Sequence, residues 1–102
     1  MTKIKIAFDV DGTLRCNCTD TCQHPNEEIV VLFKILSKFK NVILFVWSGG
    51  GKDYAQNFAE KYDLPVNPKF CIGKINAPQM DIAIDDQHEF SLATLNLIAR
   101  NK

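Results

Sequence analysis

Residues 41–47 read Asn-Val-Ile-Leu-Phe-Val-Trp, an almost unbroken apolar run closed by Ser48-Gly49-Gly50-Gly51. A strand with one wet face alternates apolar and polar residues. A run with no such alternation suits a strand buried on both faces, as in a parallel sheet. Other elements group around it. Residues 3–8, rich in Ile and Phe, form a second strand candidate that runs straight into Asp9. Pro25 opens a helical pattern, with Glu27 and Glu28 suited to its first turn, where the helix dipole favours negative charge. Ile29, Leu32, Phe33, Leu36 and Phe39 follow at helical spacing, and Lys38 and Lys40 stand near the end.

A second helix is expected over residues 52–62, with Tyr54, Ala55, Phe58 and Ala59 on its inner side. Residues 69–72 and 81–84 are short strand candidates. The tail beyond His88 reads as a helix over 91–99 or as an edge strand over 94–98 after a tight turn, with the strand favoured. Strands alternating with helices predict an α/β fold: a three-layer α/β/α, Rossmann-like sandwich around a central, mostly parallel sheet. The chain of 102 residues predicts one domain and leaves no length for a large lid.

Hydrophobic residues make up 46% and charged residues 24%, a balance that excludes a disordered chain. Net charge is zero and no run of Lys or Arg marks a nucleic-acid footprint. No apolar run approaches the ~20 residues of a membrane span, and the N-terminus enters a strand pattern without a signal-peptide core. A cytoplasmic protein with no membrane partner is the expectation.

In such sheets ligands bind beyond the carboxyl ends of the strands. Three strand ends carry the polar residues here: Asp9 with Asp11, Ser48, and Asp85 with Asp86. Two carboxylates two positions apart, directly after an apolar strand, repel one another and call for a cation. Alone, such a pair is also what a strand ending in a polar turn looks like. The full string Asp9-Val10-Asp11-Gly12-Thr13-Leu14 is far more specific.

Residues 8–14 resemble the first signature motif of the haloacid-dehalogenase (HAD) superfamily. Ser48 resembles its second motif, Lys74 its third, and Asp85-Asp86 its acidic fourth, all in order. The resemblance extends to about residue 86. It implies a capless, HAD-like, Mg²⁺-dependent phosphatase, a hydrolase of phosphoric monoesters. Asp9 would attack phosphorus to form an aspartyl-phosphate. Asp11 would act as general acid and then as general base. Ser48 and the Gly49 backbone N–H would bind the phosphoryl group, and Lys74 would neutralise it. Lys52 competes for that last role, but the Gly-Lys context ahead of the acidic pair favours Lys74. The implied Mg²⁺ ligands are Asp9, Asp11 through its backbone carbonyl, and Asp85 with Asp86.

The bland alternatives are a helix cap for Ser48, a surface lysine for Lys74 and a solvated turn for the acidic pair. The runner-up function is a catalytically weak phosphate- or metal-binding module acting through a partner. The gap after the first motif holds only residues 15–24, so the site is expected to be open. Its phosphorylated substrate would be a macromolecule or a small metabolite, the latter if chains associate as a homo-oligomer.

Cys16, Cys18, Cys22 and His24 crowd into nine residues. Zn²⁺ favours such soft ligands, but the spacing is tighter than usual zinc motifs. Structural zinc, free thiols and a disulfide are the open readings. Cys71 is expected to pack in the core.

Overall fold

The computed structural model describes residues 3–16, 24–75, 77–86 and 93–98. Its strands are β1 (Ile4–Asp9), β2 (Val42–Ser48), β3 (Cys71–Gly73), β4 (Met80–Asp85) and β5 (Ala93–Ile98). Helix α1 (Glu27–Leu36) joins β1 to β2, and α2 (Lys52–Lys61) follows β2. The strands form one sheet in the order β3-β2-β1-β4-β5, and every pairing is parallel. This α/β architecture is compatible with a Rossmann-like fold. Among the described residues, no helix is long and apolar enough to cross a membrane.

The register sorts side chains onto the two faces of the sheet. Ile6 pairs with Leu44 and Ile82, and Phe8 pairs with Val46 and Ile84. Paired residues point to the same side. This face packs against Val30 and Phe33 of α1 and against Ala55, Phe58 and Ala59 of α2. Phe8 and Phe33 meet edge-to-face with ring centroids 5.0 Å apart. Both helices therefore cover one face. On the other, Ala7, Phe45, Trp47 and Ala83 cluster with Met80, Phe70, Ala77 and Ala93.

The physical reason lies in the connections. The chain steps outward from β1 to β2 to β3, and right-handed crossovers in one direction place both helices on the same side. It then returns across β2 and β1 to reach β4. That return has only residues 74–79, too few for a covering helix. The expected third layer thus meets a connecting segment over the described part of the second face.

Several local expectations shift. Helix α1 ends at Leu36, so Phe39 lies beyond it and is exposed, as is Leu32, while Val30 is buried instead. Tyr54 lies outward on α2 rather than inward. Residues 68–70 form a 3₁₀ turn, and β3 starts only at Cys71, which is buried two strands away from β1. Burial pushes the Cys71 thiol up. The tail is a strand, as favoured, but its pairing with β4 is parallel. A tight turn joins antiparallel neighbours and cannot give that pairing.

Helix α2 ends in a Schellman motif. The Leu64 N–H donates to the Ala59 carbonyl at 2.9 Å and the Asp63 N–H to that of Glu60 at 3.2 Å. Asp63 takes the left-handed conformation this needs, with φ of 53°, and buried Leu64 anchors the chain beyond.

Candidate functional site

Strand β1 is central, with β2 on one side and β4 on the other, and the chain reverses its direction of travel around it. The crevice beyond the carboxyl ends of β1 and β4 is therefore a topological switch point, where open α/β sheets bind ligands. Asp9 is the last residue of β1, Asp85 the last of β4, and Asp86 follows directly. One carboxylate oxygen from each of the three lies within 4.8 Å of the others. Asp9 and Asp85 are only 4% and 3% exposed.

Among the described residues, Lys74 is the cation that the ion pairs place at this cluster. Lys74 Nζ lies 2.9 Å from Asp9 Oδ1 and 2.7 Å from Asp85 Oδ2. It is delivered by β3: Gly73 ends that strand in register with Ser48, and the Lys74 N–H donates to the Ser48 carbonyl at 3.0 Å. Burial opposes the Lys74 charge, but its hydrogen bonds to Asp85 and Asp9 outweigh that and raise its pKa. One ammonium does not compensate three carboxylates. Burial, reinforced by the Asp85 and Asp86 charges and opposed by Lys74, pushes Asp9 up to about 7. Asp86 is also raised, by burial and by Asp85.

Lys52 is engaged elsewhere. Its Nζ donates to the carbonyls of Pro68 at 2.8 Å and Cys71 at 3.0 Å, tying the start of α2 to the segment entering β3. Of the two lysines weighed from the sequence, Lys74 is the one beside Asp9.

Gly12 makes the cluster possible. Its φ of +84° favours glycine, and a Cβ there would lie 2.1 Å from Asp86 Oδ2. The Asp86 carboxylate thus rests on the bare backbone of the turn after Asp9. That turn is closed by the Leu14 N–H on the Asp9 carbonyl at 3.1 Å and the Arg15 N–H on the Val10 carbonyl at 2.7 Å.

Ser48 is buried at the end of β2, and its Oγ accepts the Gly50 N–H at 3.0 Å. The N-cap of α2 is Gly51, so Ser48 is not the helix cap. Gly49 is exposed, with open space where a side chain would stand.

Asp11 sits apart from the carboxylate cluster. Its side chain is half exposed, and Oδ1 accepts from Arg15 Nε at 2.8 Å and from the Tyr54 hydroxyl at 2.5 Å. Neither partner was singled out from the sequence. Arg15 looked like a loop residue, and Tyr54 looked like part of the core. Only the tertiary fold brings Tyr54 to a residue 43 positions away.

Of the Cys/His loop, Cys16 and His24 are described. The Cys16 N–H donates to the His24 carbonyl at 2.8 Å, closing the base of the loop. Cys18 and Cys22 lie outside the described residues, and the zinc expectation with them. Cys16 and Cys71 are free thiols.

Three carboxylates converging on one point are an all-oxygen donor set. Such a set suits a hard divalent cation such as Mg²⁺ and offers nothing soft to zinc. Comparison with protein-family models, with curated proteins and with solved structures gave no match.

Proposed function

We propose that the chain is a Mg²⁺-dependent phosphomonoester hydrolase working through an aspartyl-phosphate on Asp9, as a small capless member of the HAD superfamily. The observation that carries this reading is the convergence of Asp9, Asp85 and Asp86 at a topological switch point, with Lys74 bridging Asp9 to Asp85. The family motif string leads into that point. Phe45, Trp47 and Ala83 on the second face are buried against Met80, Phe70, Ala77 and Ala93, which is compatible with a sheet packed on both faces.

In the proposed reaction an Asp9 carboxylate oxygen attacks phosphorus. The bond from phosphorus to the leaving oxygen breaks as Asp11 delivers a proton to that oxygen. Asp11, now a carboxylate, takes a proton from the water that attacks the aspartyl-phosphate. Inorganic phosphate leaves and Asp9 is regenerated. Lys74 holds Asp9 in place and offsets phosphoryl charge, while Ser48 Oγ and the Gly49 N–H bind phosphoryl oxygens. Asp9, Asp85 and Asp86 would hold Mg²⁺, with the Asp11 carbonyl as a further ligand. The ion would supply charge neutralisation for the incoming phosphate.

Only six residues, 74–79, connect β3 to β4, which leaves no room there for a lid. The site is read as open, suited to large substrates or to cover by a second chain.

The test is turnover of 4-nitrophenyl phosphate with Mg²⁺, with EDTA, and by Asp9→Asn. Activity should require Mg²⁺, and Ca²⁺ should replace it poorly, because its larger and looser shell does not enforce octahedral geometry. The Asn variant should lose about 10³-fold or more, since its amide is a poor nucleophile. Binding of Mg²⁺ without turnover would leave only the non-catalytic module. Activity indifferent to chelation would remove the metal.

A further inference from the structure

We propose that Tyr54, together with Arg15, is a positioning pair for the Asp11 carboxyl group, and that it fixes which oxygen exchanges the proton. The inference rests on the phosphatase reading above and deepens it.

The starting observation is an apparent misfit. Tyr54 stands in the first turn of α2, is 40% exposed, and contributes nothing to the buried helix face. An exposed tyrosine is normally free to rotate into water. This one reaches Asp11 Oδ1 at 2.5 Å. Its ring also lies against Gly50. A Cβ on Gly50 would come within 3.3 Å of Tyr54 Cγ and 3.4 Å of Ser48 Oγ, so ring and hydroxyl both crowd the place a side chain would take at this glycine. The loop proposed to bind phosphate therefore also seats the tyrosine.

Arg15 reaches the same carboxyl group from the turn after β1. Its backbone is pinned by the Arg15 N–H on the Val10 carbonyl at 2.7 Å and by the Gly12 N–H on the Arg15 carbonyl at 2.9 Å. Its Nε meets the same Asp11 Oδ1 at 2.8 Å. Two donors from two separate elements thus converge on one oxygen of a carboxyl group. Asp11 is otherwise a half-exposed side chain on a turn, with rotamers to spare. Arg15 alone lets the carboxyl pivot about one contact. Adding Tyr54 fixes its plane and leaves Oδ2 as the oxygen that gives its proton to the leaving group and later takes one from water. No group is consumed: Tyr54 and Arg15 keep their protons throughout.

A residue that orients the general acid matters in proportion to the need for that acid. Phenolate is a poor leaving group and needs the proton. 2,4-Dinitrophenolate departs without it. The ratio kcat/KM covers only steps up to departure of the leaving group, so later hydrolysis of the aspartyl-phosphate does not enter. The Tyr54→Phe variant removes one hydroxyl and keeps the ring. It should lower kcat/KM for phenyl phosphate about tenfold, a part of the ~10²–10⁴ that general acid catalysis supplies. For 2,4-dinitrophenyl phosphate the loss should be under about twofold. In an Asp11→Asn background the same change should cost nothing further on phenyl phosphate, because the group it orients is gone. Equal losses on both esters would assign Tyr54 a structural role and overturn the proposal, as would no loss on either. An additive loss in the Asp11→Asn background would overturn it too. If the wild-type chain hydrolyses neither ester with Mg²⁺, the phosphatase reading itself falls and this inference falls with it.

Discussion

Asp9 and Asp11 are two positions apart in the chain and live in opposite surroundings. Asp9 is buried beside Asp85, Asp86 and Lys74, and burial, reinforced by the two neighbouring carboxylates, pushes its pKa up to about 7. Asp11 is half in water, held by a guanidinium and a phenol. The difference follows from where the strand stops. Asp9 closes β1, flanked on both sides by strands, so its side chain shares the crevice with the end of β4. Two residues later, at Asp11, the chain is already entering the turn that Gly12 completes. One short motif thus supplies a confined carboxylate, suited to a cation and an attack, and a reachable one, suited to exchanging protons. Pairs of titratable groups in divergent environments are how active sites divide such roles.

The sharpest way to break this contrast, after loss of Asp9 itself, is to remove the cation on the buried side. Lys74→Ala should leave Asp9 and Asp85 without their shared partner and lower turnover by about 10²-fold or more. Lys52→Ala should cost little activity, because that side chain holds the Pro68 and Cys71 carbonyls instead. Steady-state rates of the two variants check the ranking, and the reverse order would move the phosphate-facing role to Lys52.

A second change attacks the joint between the two regions. Gly12→Ala places a methyl group where Asp86 Oδ2 rests and forces a strained φ of +84° on an L-residue. Stability should drop by roughly 1–3 kcal/mol, and the Mg²⁺ concentration needed for half-maximal activity should rise as Asp86 is displaced. Thermal unfolding and a Mg²⁺ titration read these separately. An unchanged Mg²⁺ requirement would detach Asp86 from the metal site.

The smallest effect sharpens the buried side alone. A carboxyl group whose pKa is raised from 3.8 to about 7 binds its proton more tightly in the folded chain than in the unfolded one. Its contribution to stability is complete below pH 3.8 and is lost as pH rises through about 7. In EDTA the protein should therefore melt at a lower temperature at pH 8 than at pH 5, by on the order of 2 kcal/mol in stability. Mg²⁺ should restore much of the loss at pH 8 by binding the charged cluster. A melting temperature that does not fall over this range would mean the three carboxylates do not crowd as described.

The strands and the residues that end them were legible in sequence. The apolar run before Ser48, the strand running into Asp9 and the short strand ending at Asp85 each carry a period or a boundary that needs no distant contact. The composition of α1 is different: it is apolar almost all round, so its buried face could not be phased, and Leu32 and Val30 exchanged places. The parallel pairing of β5 was equally hidden, because pairing direction depends on the path taken between strands. Lys74 and Lys52 both follow glycines and look alike in one dimension. Their separation is set by the register of β3 beside β2, which carries Lys74 to the strand ends. Sequence by itself determined which residues could do chemistry, since charge and strand-end position are local properties. Which of them share a partner was decided by tertiary structure, because Tyr54 meets Asp11, and Asp86 meets Gly12, only after strand order and crossover have brought distant segments together.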